Sequence, residues 1–264
     1  MWPVKSSAST CQLRSLVLSF ACLISLAPAI CNSQSPEGLV YSAEMEWGGK
    51  TRFQVSVSGK RSLVESFEST SPRMPPNISI LTRDGGLTLI ILNREQQTFA
   101  ELTAEEFNAR QSRKLESRGI TIRDVKAETI AAVDGPELFG YRTRRYLLRF
   151  SIEMQRITPT GTVDESFVAQ YDMVFATEIN DQVPGLALLT NPSRTGIEQF
   201  DATVRGEIAK LAGLPLRRVV TLEINEKPVP QQTVFQVTGI ERRAIPDERF
   251  EVPVSFRKVS LPHP

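Results

Sequence analysis

Histidine is nearly missing from this chain of 264 residues: the single one, His263, stands next to the last residue. A histidine general base, a histidine-dependent nucleophilic triad and a histidine-ligated metal all need an imidazole held inside the fold. That chemistry is therefore excluded from any ordered cavity. Cysteine is scarce too. Cys11, Cys22 and Cys31 all precede the body of the chain, so no internal disulfide staples it and its core depends on packing alone. Cys31 falls in a polar stretch expected to be flexible, a poor setting for a catalytic thiolate, which needs an electropositive pocket. An excess of one charge is also lacking. Lys and Arg number 31 against 30 Asp and Glu, which removes the basic footprint of a nucleic-acid binder. No glycine-rich nucleotide motif and no calcium loop of alternating acids occurs.

Only one long apolar run is present, from Ser15 to Ala27 through Leu16, Val17, Leu18, Phe20, Leu23, Ile24 and Leu26. Lys5 and Arg14 precede it, and Ala27-Pro28-Ala29 follows with small residues where a signal peptidase reads them. This is the pattern of a secretory signal over residues 1–29, cleaved after Ala29, which places the mature chain in the periplasm or outside the cell. An uncleaved anchor and lipid attachment at Cys31 or Cys22 are the alternatives. The run is shorter than the roughly 20 residues of a membrane span, and the residues before both cysteines depart from the usual lipoprotein pattern. Residues 30–38 are polar and irregular and are expected to form a flexible leader to a single domain over residues 39–264.

What the chain does contain is alternation. Tyr41, Ala43, Met45 and Trp47 interleave with Ser42, Glu44 and Glu46, Gly48-Gly49 turns the chain, and Phe53, Val55 and Val57 follow at the same period of two. Ser58-Gly59-Lys60 and Arg83-Asp84-Gly85-Gly86 are further tight turns. Leu87 to Leu92 is almost unbroken apolar and is expected to be buried on both faces. In the second half, residues 120–132 are extended. Tyr146, Leu148, Phe150, Ile152 and Met154 share one face of a strand over residues 140–155, expected to be the longest. Phe167, Ala169, Tyr171, Met173 and Phe175 share one face of the next strand. Residues 218–224 and 233–240 close the sheet across a loop from Asn225 to Pro230.

Two helices interrupt the strands. Thr103-Ala104-Glu105-Glu106 fits a capping box, with a helix running to about Arg118 and stopped by Gly119. Thr195-Gly196-Ile197-Glu198 repeats that pattern, and Ile197, Phe200, Val204, Ile208 and Leu211 form a helical stripe ending at Gly213. The segment 181–196, rich in Pro and Gly, is the candidate hinge before this second helix. The pattern is mainly β (α+β): a single strongly curved antiparallel sheet or open barrel, covered by two helices because one sheet face must stay dry.

The segment Gly140-Tyr141-Arg142-Thr143-Arg144-Arg145-Tyr146 and the tail Ile245-Pro246-Asp247 with Phe250-Glu251-Val252-Pro253 resemble signatures of an uncharacterised family of secreted bacterial proteins. The characterised fold they are most similar to is the periplasmic lipoprotein carrier (LolA/LolB-like), an open β-barrel closed by helices. By pattern the resemblance covers roughly residues 40–257. It implies that fold and an apolar ligand inside it, and it bears on fold more than on function.

The remaining residues with chemical potential have ordinary explanations. Glu105-Glu106 and Asp134 with Glu137 are paired carboxylates, here read as a helix cap and a solvated loop. Arg142, Arg144 and Arg145 suit an anionic head group or, more simply, a solvated strand face; Arg145 points opposite to the other two. Asn77-Ile78-Ser79 matches a glycosylation acceptor. The expectation is a non-enzymatic binding protein with no cofactor and no metal. Its ligand, a lipid or lipoprotein acyl chain, would lie against Phe150, Met154, Tyr171, Met173, Phe175, Phe200 and Val204. Two alternatives stand beside it: that this face is plain core in an envelope interaction or sensor module with an exposed strand edge, and a hydrolase working with carboxylates alone.

Overall fold

The computed structural model describes residues 37–71, 75–180 and 197–260. The signal segment, Cys31, the candidate hinge 181–196, Thr195 and His263 lie outside them. Within the unit Ser35–Pro264 the described residues form one largely antiparallel sheet with two α-helices. Its strands are β1 (Glu37–Glu46), β2 (Lys50–Ser58), β3 (Arg61–Ser69), β4 (Ile78–Thr82), β5 (Thr88–Asn93) and β6 (Thr98–Thr103). Helix α1 (Ala104–Glu116) follows, then β7 (Ile120–Asp134), β8 (Thr143–Thr158), β9 (Gly161–Ala176), α2 (Glu198–Ile208), β10 (Leu214–Ile224), β11 (Lys227–Ala244) and β12 (Arg257–Lys258). The spatial order is β12-β6-β5-β4-β3-β2-β1-β11-β10-β9-β8-β7. Two meanders, β1–β6 and β7–β11, are thus joined where β1 pairs antiparallel with β11.

That order forces curvature. Strands β6 and β7 stand ten steps apart in the sheet, which would be about 48 Å if the sheet were flat. Yet Thr103 ends β6 and Ile120 begins β7, so α1 and three further residues must span the gap. The helix is about 20 Å long and three residues can add at most about 10 Å. The sheet therefore bends until its two ends are within reach of one helix, without the outer strands pairing.

Helix α1 begins with the expected capping box. Thr103 Oγ1 accepts from the Glu106 amide at 3.0 Å, and Glu106 Oε2 accepts from the Thr103 amide at 2.7 Å. Asp84 builds the β4–β5 turn by equally local contacts, its carboxylate accepting from the Gly86 and Thr88 amides and the Thr82 hydroxyl.

Several boundaries differ from expectation. Glu37 and Gly38 are not leader but the first residues of β1, paired with Ala244 and Arg243. Strand β8 begins at Thr143, after a small bridge between Leu138 and Tyr141. The longest strand is β11, because the loop expected from Asn225 to Pro230 shrinks to Asn225-Glu226, both at positive φ. Such a two-residue turn matches strand twist, so Lys227 to Pro230 continue the ladder. Helix α2 starts at Glu198 with Ile197 as its N-cap and no side-chain cap hydrogen bond from it; Thr195 of the second expected capping box lies outside the described residues. Leu87 is exposed in the turn before β5, whereas Leu89, Ile90 and Leu92 are buried from both faces.

Cross-strand partners share a face, and they separate the core into two sides. On the helix face Leu39, Tyr41, Ala43, Met45, Phe53, Val55 and Val57 pack with Leu214, Leu216, Phe235 and Val237. On the opposite face Val40, Leu63, Leu81, Ile90 and Leu92 are covered by the C-terminal segment through Ile245 and Phe250, with Val252 and Phe256 beside them. This strap is pinned by Arg61, which pairs with Asp247 at 2.8 Å and lies 4.9 Å over the Phe250 ring, and by Arg249 to Glu65 and Gln54. It ends by adding β12 parallel to β6. Gly213 has a local role at the start of β10: its φ is +100°, and a Cβ there would lie 2.1 Å from the Ala176 carbonyl oxygen.

The strap is part of the core. Phe250→Ala should lower stability by about 3–5 kcal/mol, measured by urea unfolding of the full chain. An unchanged midpoint would show that the strap lies outside the cooperative unit.

Candidate functional site

The feature that sets this sheet apart is the aromatic- and methionine-containing patch on its helix face. Alternation along β8 and β9 sends every second residue to that face, and the register places them side by side: Tyr146 opposite Met173, Leu148 opposite Tyr171, Phe150 opposite Ala169, Ile152 opposite Phe167. Helix α2 covers the patch with Phe200 and Val204, four residues apart and so one above the other. Phe150, Tyr171, Met173, Phe175, Phe200 and Val204 join one buried cluster with Tyr146, Leu148, Ile152, Ala169 and Val220. Phe150 meets Tyr171 edge-on at 5.0 Å between ring centres, and Tyr146 meets Phe175 likewise at 5.6 Å.

Met154 does not join them. It faces Glu165 and Ile122 near the β8–β9 turn and is only half-buried. There the two strands run on past the cluster into the exposed Ile157 and Val163.

Helix α2 is short and lies toward one end of the sheet. Its N-cap Ile197 supplies no side-chain cap. It rests on β7, an end strand of the sheet, and Thr129 of β7 donates a hydrogen bond to Glu207 Oε2 at 2.9 Å. Glu207 also pairs with Lys210. The Lys210 ammonium, with the Thr129 hydroxyl, holds the Glu207 carboxyl below the usual glutamate range against the opposing effect of burial. Asp201 is buried on the same helix.

One polar side chain within this face was not among the candidate residues. Arg218 is only 4 % exposed, the sole buried lysine or arginine among the described residues. The register runs Met45, Phe235, Arg218, Met173, Tyr146 across five strands, so the guanidinium is set into an apolar row. Along β10 it falls between Leu216 of one cluster and Val220 of the other. Burial pushes its pKa down from the ordinary arginine value, and the nearby Tyr171 opposes that; burial in turn pushes the Tyr171 phenol up, with the Arg218 charge opposing. The sequence held a signal for it: Leu214, Leu216, Arg218, Val220 and Leu222 alternate, with arginine at an apolar position.

Tyr41 is a second polar group inside the helix face. It is 1 % exposed, its hydroxyl has no hydrogen-bond partner among the described residues, and burial raises its pKa well above the ordinary phenol value. The other residues of interest are held by simple contacts. Arg142 pairs with Glu178 at 2.7 Å and Arg145 with Asp172 through two hydrogen bonds. Arg144 lies 5.8 Å over the Tyr146 ring. Glu106 serves the α1 cap, and Asp134 and Glu137 are exposed. Asn77 sits on an exposed turn, while Ser79 is buried and accepts a hydrogen bond from Arg94. Among the described residues no group of three His, Cys, Asp or Glu side chains is placed to hold a metal ion, and no helix is long and apolar enough to cross a membrane.

No protein-family model and no curated protein matches the chain. Among solved structures, the crystal structure of an uncharacterized conserved protein from Thermus thermophilus is similar, with a TM-score of 0.41 and 8% identity. The match covers 86% of this chain and 91% of that one.

A buried hydroxyl without a partner costs about 1–3 kcal/mol. Tyr41→Phe should therefore leave thermal stability unchanged or raise it. A clear drop in the unfolding midpoint would show that the hydroxyl is satisfied in solution.

Proposed function

We propose that this chain is a non-enzymatic binding protein for an apolar or amphiphilic, lipid-like ligand, acting in the periplasm or outside the cell. The ligand lies between strands β8–β10 and helix α2, and α2 lifts from the sheet to admit it. The observation that carries this reading is the pairing of a rich apolar patch with a short helical cover at one end of the sheet. Phe150, Tyr171, Met173 and Phe175 lie beneath a helix of 11 residues with no side-chain cap. A patch of that composition gives an alkyl chain non-directional contact over a wide area. A short helix resting at the end of a sheet separates at less cost than one buried on all sides. The resemblance to the lipoprotein carriers points the same way.

A second reading rests on a different observation. Strand β7 ends the sheet and exposes Ile130 and Val133, so a partner strand added to its free edge would suit an envelope interaction module. Two register shifts in its pairing with β8, and the charged Arg123, Asp124, Lys126 and Glu128, count against ready pairing there.

Native mass spectrometry of the full chain, incubated with a mixed lipid extract, separates the two. One lipid per chain is expected, with several-fold lower occupancy in a Phe200→Ala, Val204→Ala double variant that keeps its strand signal in circular dichroism. A clean unliganded mass would contradict the binding reading and favour the edge.

A further inference from the structure

We infer that the free edge of β7 takes a second copy of this chain, the two β7 strands pairing antiparallel about a two-fold axis at Ala127. The inference stands apart from the ligand reading and goes beyond the edge reading by naming the occupant. Its ground is the charge pattern of that edge. Strand β7 ends the sheet, and among the described residues it pairs with no strand but β8. From Asp124 to Thr129 its register with β8 is regular. Asp124, Lys126 and Glu128 therefore point to the outer face of the sheet, and Val125, Ala127 and Thr129 to the helix face. Lys126 and Glu128 are exposed. The Lys126 ammonium lies 3.4 Å from Asp124 of its own strand, an exposed contact that is readily exchanged for another.

Two copies of one strand meet through the same patch on each, related by a two-fold axis. An axis normal to the sheet leaves every side chain on its own face, and directly opposed residues share a face. A residue of the regular stretch must therefore sit on the axis, opposite itself. Asp124, Lys126 or Glu128 in that place would set like charges against each other. Val125 or Thr129 there would carry much of the pairing into the irregularities at Ile122/Asp124 or Thr129/Ala131. With Ala127 on the axis, Lys126 of each copy faces Glu128 of the other, Val125 faces Thr129, and the smallest side chain of the stretch lies where the two copies come together. Ile130, 50 % exposed at the end of this stretch, comes to lie beside the partner strand. The charges that make the edge a poor template for an arbitrary strand are thus complementary in a copy of itself. Main-chain hydrogen bonds then supply affinity and the two ion pairs fix the register.

The test is the mass of the full chain in solution, by sedimentation velocity. The native chain should be dimeric at about 0.1 mM. Lys126→Glu and Glu128→Lys each set like charges against each other on both sides of the axis, and each should weaken the dimer about tenfold or more. Mixed in equal amounts, the two variants should associate with one another, because the acidic edge of one then faces the basic edge of the other. Both positions are exposed, and circular dichroism checks that the strand signal is kept. Hydrogen exchange locates the contact without any variant: amides of residues 124–130 should exchange more slowly in the dimer than in the diluted monomer. A native chain that stays monomeric at that concentration would overturn the inference. So would a dimer that both reversals leave intact, variants that fail to associate on mixing, or a dimer without added protection along β7. None of these results bears on lipid occupancy, which tests the ligand reading separately.

Discussion

The seam between β1 and β11 is the contact on which the rest of the molecule depends. It runs from Glu37 opposite Ala244 to Glu46 opposite Val234, with one irregularity between Ser42 and Ala43. Without it the chain would be two separate meanders, each with an exposed edge in the middle of the present sheet. With it, the cluster of Tyr41, Met45, Phe53, Phe235 and Val237 becomes continuous across both halves. The same seam determines where the strap begins, since Ile245 follows directly on β11 and leads across the outer side of the first meander to β6. It also fixes the distance α1 has to span, and through that the bend of the sheet.

Bending gives the two faces different fates. The strap covers the outer side of the N-terminal half with Ile245 and Phe250, and ion pairs such as Arg145 with Asp172 occupy the outer side of the C-terminal half. Exposed pairs of that kind contribute little to stability; they keep the face wet. On the helix face the burden falls on side-chain packing. There Arg218 and Tyr41 are polar side chains set within a mainly apolar core. The proposed function comes from the apolar patch under α2, as fold class alone assigns none.

Much of this architecture was legible in the residues. Period-two alternation located the strands, and the paired residues of β8 and β9 were expected on one face and are found there. The Thr103 capping box was readable because its chemistry is local: one hydroxyl, one carboxylate, three residues apart. What was missed is non-local or contrary to local preference. Pro228 and Pro230 lack an amide donor and so read as loop, yet the tight Asn225-Glu226 turn brings them into β11. The strap has no periodicity; its anchors, Arg61 and Glu65, belong to a strand almost two hundred residues earlier in the chain. Met154 obeyed the alternation but lay beyond the cluster, which strand parity does not reveal. Arg218 was visible as an arginine in an apolar series, but its burial follows from three strands meeting.

The proposed binding role has one structural requirement: α2 must move away from the sheet to admit a ligand. A short thiol crosslink between cysteines placed at Thr129 and Glu207, with Cys31 replaced by serine, would hold the helix where the structure has it. Lipid uptake from a mixed extract should then fall at least about tenfold relative to the uncrosslinked protein and return when the crosslink is cleaved. Undiminished uptake with α2 locked in place would contradict a moving cover and put the ligand, if there is one, elsewhere on the chain.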